Sequence, residues 1–297
     1  MFATTLDCKG REVVLDRARI CGIVNITEDS FSDGGKFVKP QRAIEHALRL
    51  VEEGADLIDV GAESTRPGAS SVAADLQIAR VIPVIVALVE RTNVAISIDT
   101  SNPAVMRAAV AAGAGMINDV RALRGEGALD AAAESGAVVC LMHMQGEPGN
   151  MQDGPQYDDV VGEVHRFLSD RVFACQLAGI DKKRIVVDPG FGFGKTVDHN
   201  VCLLRNLARF AEIGPVLVGL SRKSMIGALT GREKAEDRVV GSVAAAIIAM
   251  QRGAAIVRVH DVAATRDAIR ICEAVGLESA APKQPGARSN VPSWDDE

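Results

Sequence analysis

Val94-Ala95-Ile96-Ser97-Ile98-Asp99 decides the fold. It is a short run, rich in β-branched residues, that is apolar on both faces until it ends in a carboxylate. Thr100-Ser-Asn-Pro103 follows, then an alanine-rich stretch with helical spacing. Ala112-Gly-Ala-Gly115 then leads into a second apolar run at 115–118. A strand apolar on both faces, linked by a helix to another such strand, is the unit of a parallel sheet. Moving outward, the same unit recurs at 19–25, 56–60, 137–142, 184–188, 215–219 and 255–259. Eight strand–helix units predict an α/β fold closed into a (β/α)8 TIM barrel.

The joints support this. Glu53-Gly-Ala-Asp56, Ala112-Gly-Ala-Gly115, Ser135-Gly-Ala137 and Arg252-Gly-Ala254 each place glycine just after a helix, where a left-handed cap is needed. Lys9-Gly10, between two extended stretches in residues 4–16, predicts a β-hairpin that closes the bottom of the barrel. Two helices are expected after the seventh strand, at 223–229 and 236–251. Residues 1–279 read as one barrel domain. Residues 280–297, rich in Pro, Ser and charge, read as a disordered tail.

Composition sets the limits. The chain has 297 residues, within the range of one barrel, and 47% are hydrophobic but only 3% aromatic, so the core must be aliphatic. Lys plus Arg total 33 against 39 Asp plus Glu, a net charge of −6 with no basic run, which argues against a nucleic-acid partner. An anionic substrate therefore needs a local basic pocket. The six cysteines are scattered, with no CxxC pair, and read as reduced thiols of a cytoplasmic protein. The longest apolar run, 81–89, is too short to span a membrane and contains Pro83.

A parallel barrel carries its chemistry at the C-terminal ends of its strands. Those ends are Asn25, Asp59, Asp99, Asn118, Asp188, Ser221, Arg258 and His260. Period-two alternation puts Asn25 on one face with Cys21 and Ile23, Asp99 with Ser97, and Arg258 with His260. Each has a plainer alternative. Asp99 could cap the following helix, Asn118 could hold a loop, His260 could be a core histidine, and His143 between Met142 and Met144 could be packing. The glycine-rich string from Asp188 to Lys195 is only weakly like a phosphate loop. Polar residues at the ends of seven of the eight strands favour one convergent site. Carboxylates and amides on facing strands suit a nitrogen heterocycle. Arg258 and His260 add a place for phosphate.

At these residues the sequence resembles the dihydropteroate synthase family, over about 22–269. The motifs are Asn25-Ile-Thr-Glu-Asp-Ser-Phe-Ser-Asp-Gly-Gly35, Asp59-Val-Gly-Ala-Glu-Ser-Thr-Arg-Pro-Gly68, Met142-His-Met-Gln-Gly146, Asp188-Pro-Gly-Phe-Gly-Phe-Gly-Lys195, Ser221-Arg-Lys-Ser-Met225 and Arg258-Val-His-Asp261. Glu28 and Ala62 stand where the family usually has Pro and Gly. The resemblance implies a transferase of tetrahydrofolate biosynthesis and a sulfonamide target. It would join 6-hydroxymethyl-7,8-dihydropterin diphosphate to 4-aminobenzoate and release pyrophosphate.

The resemblance also implies roles. Asp99, Asn118, Asp188 and Lys223 would hold the pterin, with Met142 packing nearby. Asn25 would help bind Mg2+, while Thr65, Arg258 and His260 face the diphosphate. The loops at 28–36 and 64–70 would close over the second substrate. Phe31, Pro67, Phe193, Ser221 and Lys223 would shape the aminobenzoate pocket, and Arg66 and Gly219 complete the substrate-binding set. Asp99, Asp188, Lys223, Arg258 and His260 are the expected catalytic group. The expected route is dissociative substitution at the pterin methylene, with no covalent nucleophile. A homodimer through the last helices is also implied. Two alternatives share the ring-binding logic: a corrinoid methyltransferase, which needs no diphosphate site, and a barrel that binds pterin without turnover.

Overall fold

A computed structural model describes residues 5–26, 39–63, 72–146, 149, 151 and 154–277. Eight parallel strands close a barrel: β3 (Arg19–Asn25), β4 (Leu57–Gly61), β5 (Ala95–Asp99), β6 (Met116–Asp119), β7 (Val138–Met142), β8 (Ile185–Asp188), β9 (Val216–Val218) and β10 (Ala254–Val259), with β10 pairing back to β3. These are the eight expected runs, with ends displaced by a residue or two.

Helices α1 (Lys39–Glu52), α2 (Ala74–Arg91), α3 (Pro103–Ala111), α4 (Ala128–Ser135), α5 (Val160–Leu177), α6 (Val197–Arg205), α7 (Ser224–Thr230), α8 (Val239–Gln251) and α9 (Val262–Ala274) lie between and after the strands. The two helices expected after the seventh strand are α7 and α8. Gly54, Gly113, Gly136 and Gly253 all take left-handed φ at the joints where they were expected.

Alternation along each strand divides the core in two. Ile58, Ile96, Ile98 and Val139 face outward and pack, fully buried, against the helix layer with Val84, Leu88 and Met106. Burying each isoleucine contributes about 2 kcal/mol. Cys21, Leu57, Ala95, Met116, Val138, Val186 and Leu217 face inward and fill the lower barrel. Leu6, Cys8, Val13 and Leu15 belong to the same cluster. They come from the hairpin of β1 (Thr5–Asp7) and β2 (Glu12–Val14), which turns through left-handed Lys9 and Gly10. The hairpin does plug the bottom. A Cβ at Gly115 would lie 2.3 Å from the Cys8 carbonyl oxygen, so the residue that leads into β6 must be glycine.

Asp56, just before β4, ties the frame together. Its carboxylate accepts from Arg17, Arg19, the Ile20 N–H and Arg266 of α9. Burial works to raise its pKa, but the Ile20 N–H, Arg17 and Arg266 outweigh it and hold the carboxyl below its ordinary value. The tail at 280–297 lies outside the described residues.

Candidate active site

Above the apolar floor the inward positions turn polar. Strand register aligns Asp59 with Ser97, Gly61 with Asp99, Asp99 with Asn118, and Met142 with Asp188. The Arg258 guanidinium reaches across this layer. Its Nε donates to Asp59 Oδ2 at 2.6 Å, and its Nη2 donates to Asp99 Oδ2 at 2.9 Å. The Asn118 amide donates to the same Asp59 oxygen at 3.0 Å. Burial opposes the charge on Arg258, but Asp59 and Asp99 raise its pKa above the ordinary value. Burial also pushes the Asp99 carboxyl up; Arg258 pulls it back and Asp59 adds to the rise. Asp99 is not a helix cap. Asn102 caps α3, accepting from the N–H groups of Ala104 and Val105.

The other side of the layer is built by the loop after β8. Asp188 Oδ1 accepts from the Gly190 N–H at 2.7 Å. Burial raises its carboxyl, against the pull of Lys223. Lys223 Nζ donates to the Phe191 carbonyl and sits 4.5 Å from the Phe193 ring centroid, a cation–π distance. Burial lowers the Lys223 pKa to about 8, and Asp188 limits the fall. Phe193 packs on a small apolar cluster of Val120, Met142, Met144 and Met151. A flat heterocycle could rest on such a wall.

Lys195 explains how that loop keeps its shape. The string ends in Gly-Lys-Thr, but Pro189 stands where a phosphate loop needs its first glycine. Lys195 is also turned inward and buried. Its Nζ lies 2.9 Å from His143 Nδ1, the Gly190 carbonyl and the Phe193 carbonyl. The His143 carbonyl lies 3.3 Å from the same Nζ, so four acceptors surround three N–H donors, and burial lowers the Lys195 pKa well below its ordinary value. Burial, with Lys195 beside it, lowers the His143 pKa to about 2, so the ring is neutral. His143 is thus more than packing. Gly190 has φ +71°, and a Cβ there would fall 1.9 Å from the His143 carbonyl oxygen.

After β9, Gly219 is buried and Ser221 Oγ lies 3.0 Å from His260 Nδ1, bringing those two expected residues together. Arg222 takes left-handed φ and pairs with Asp261 through Nε and Nη2. Asn25 is half-buried at the end of β3. Cys21 and Cys140 lie in the floor, where burial holds their thiols well above the ordinary pKa. Neither is a nucleophile at neutral pH. Glu28, Phe31, Thr65, Arg66 and Pro67, and the loops carrying them, lie outside the described residues.

The family described as pterin binding enzyme matches residues 21–260. Dihydropteroate synthase of Escherichia coli K12 is 50% identical over 270 residues, spanning 91% of this chain and 95% of that protein. The structure of the Xanthomonas albilineans synthase with 4-aminobenzoic acid superposes with a TM-score of 0.88 at 59% identity, covering 94% of this chain and all of that one. The same enzyme in complex with 7,8-dihydropteroate gives 0.84 at 56%, with the same coverage.

This chain belongs to the dihydropteroate synthase family.

Three residues of this family member go beyond the roles that the resemblance implied. Asp59 anchors both Arg258 and Asn118, and Lys195 with His143 braces the loop that holds Lys223. Asp59 was visible as a strand end. Lys195 was visible only as the close of a glycine string. Among the described residues no group of three His, Cys, Asp or Glu side chains could hold a metal ion. Mg2+ keeps much of its water and takes few protein oxygens beside substrate phosphates. A single amide such as Asn25 fits that donor set.

Proposed function

We propose that this chain condenses 6-hydroxymethyl-7,8-dihydropterin diphosphate with 4-aminobenzoate to give 7,8-dihydropteroate and pyrophosphate, a step of tetrahydrofolate biosynthesis. One observation carries this reading: Asp99, Asn118, Asp188 and Lys223 lie in one barrel mouth with Arg258. Buried carboxylates accept from the N–H edge of a pterin, and Asn118 both donates and accepts.

The same carboxylates favour a substrate that becomes cationic as its diphosphate leaves. They bind the transition state more tightly than the ground state. Arg258 and His260 face the departing anion. The arylamine of the second substrate is uncharged at neutral pH, so its attack needs no strong base. Lys223 and Phe193 border the place from which it attacks. Asn25 would hold Mg2+ against the diphosphate, where the ion would neutralise developing charge.

The chain is further proposed to work as a homodimer in the cytoplasm. Val240, Ala244 and Ile248 form an exposed stripe along α8, while Ala245, Ala246 and Ala249 face the barrel. Ile271 of α9 and Val275 beyond it add exposed apolar surface. The cysteines are all free, as a reducing compartment requires. No helix among the described residues is long and apolar enough to cross a membrane.

The deciding experiment is turnover with both substrates. Dihydropteroate and pyrophosphate should appear in equal amounts. Ligand binding without product would overturn the reading.

A further inference from the structure

Asp59 is 1% exposed, lies inside the barrel, and has no task in the reaction just described. It sits one inward position deeper than Asp99, because Gly61 is the residue of β4 that aligns with Asp99. Successive inward positions on a strand are about 6.6 Å apart. Asp59 uses a single oxygen for both Arg258 Nε and the Asn118 amide. Its other oxygen, and the Ser97 hydroxyl aligned with it on β5, have no hydrogen-bond partner among the described residues. A carboxylate this buried is tolerable only with a cation held close. Arg258 is that cation.

Arg258 is shared unequally. Its Nε edge is bound to Asp59, deep and away from the mouth. Its Nη2 edge is bound to Asp99, a residue that must accept from the pterin ring. The ring's N–H donors therefore compete with Nη2 for Asp99, while the Nε contact to Asp59 lies one inward position deeper and shares its oxygen with the Asn118 amide.

We propose that Asp59 is a positioning residue that holds Arg258 by Nε while the pterin ring displaces Nη2 from Asp99, so that the freed edge turns to the diphosphate. Ring binding and anion binding are then coupled through one side chain. Before substrate arrives, Arg258 neutralises Asp99 and is withheld from anions. After the ring docks, the guanidinium keeps its fixed end and gains a free one. This rests on the pterin diphosphate reading of the site.

Calorimetric titration tests it with three probes: pterin diphosphate, the ring-only 6-hydroxymethyl-dihydropterin, and inorganic pyrophosphate. Asp59→Asn keeps an acceptor for Asn118 but removes the charge that fixes Arg258. It should weaken pterin diphosphate about tenfold or more and the ring-only probe much less. Combined with Arg258→Lys, it should add nothing to the loss that Arg258→Lys causes alone. Equal losses for both pterins, additive losses, or no loss would overturn the proposal.

Asp99→Asn gives an arm that does not depend on Asp59→Asn folding. It removes the charge that withholds Nη2, so pyrophosphate alone should bind several-fold tighter than to the unaltered protein. Unchanged or weaker binding would overturn the latch. This arm needs no turnover, so it is read separately from a failure of the unaltered protein to make product.

Discussion

Lys195 Nζ and His143 Nδ1 meet at 2.9 Å, 52 residues apart in the chain, inside the wall between β7 and the loop after β8. The contact fixes the carbonyls of Gly190 and Phe193 around one ammonium. Lys195→Met leaves the Phe193 carbonyl and the imidazole without this donor, while the Gly190 carbonyl keeps the Phe193 N–H. The substitution should lower the unfolding free energy by about 3 kcal/mol, as loss of a buried charged hydrogen-bonding partner does. Lys195→Arg should not restore it, because a planar fork does not fit a site built for a compact ammonium. Urea titration measures both.

His143 makes stability depend on pH. The folded ring resists protonation down to about 2, whereas the unfolded ring takes a proton near the ordinary histidine value of 6.5. Between those values the unfolded state holds one more proton, so this contribution is complete above 6.5 and is lost as pH falls. The slope is about 1.4 kcal/mol per pH unit. The stability difference between the parent protein and His143→Gln should therefore shrink from pH 6.5 to pH 4.5. A constant difference would show that His143 is protonated in the fold.

Lys223 sets an alkaline limit on activity. Its pKa is lowered to about 8, so it loses its charge as pH rises through that value. It then no longer balances Asp188 or stacks as a cation on Phe193. The kcat/KM for pterin diphosphate should fall on the alkaline side with a midpoint near 8. In Lys223→Met that limb should disappear from a profile already much reduced at pH 7.

Asp188→Asn tests the ring-binding role proposed for this carboxylate. A neutral amide presents a donor where the pterin edge also donates, so binding should weaken by about 2 kcal/mol, roughly thirtyfold in Kd. Unchanged affinity would remove Asp188 from the site.

Chelation tests the metal. Activity should fall in excess chelator and return with Mg2+. Full activity in chelator would exclude assistance to the leaving diphosphate.

The barrel and the mouth residues were legible because each depends on local order. Ile96, Ser97, Ile98 and Asp99 alternate by the pleat of one strand, whatever the other strands do. The partners were not legible. Arg258 and Asp59 lie 199 residues apart and meet only because β10 closes onto β3. Period two tells which face Arg258 occupies, not which carboxylate it chooses. The alternative of Asp99 as a cap likewise turned on whether Asn102, three residues on, could reach the first N–H groups of α3, and it does. Lys195 closed a glycine string that is only weakly like a phosphate loop, and the sequence gives no sign that its side chain turns inward.

The hairpin of β1 and β2 makes the barrel a blind well. Traffic enters and leaves by one rim, so depth becomes order in time. On the proposed reading, a pterin held by Asp188 and Asn118 would arrive before anything seated above it, and the shallower guest would depart, or be joined to the deeper one, before the well could empty. A compound that lodges at the rim by Phe193 and Lys223 would therefore imprison its neighbour as well as displace a competitor.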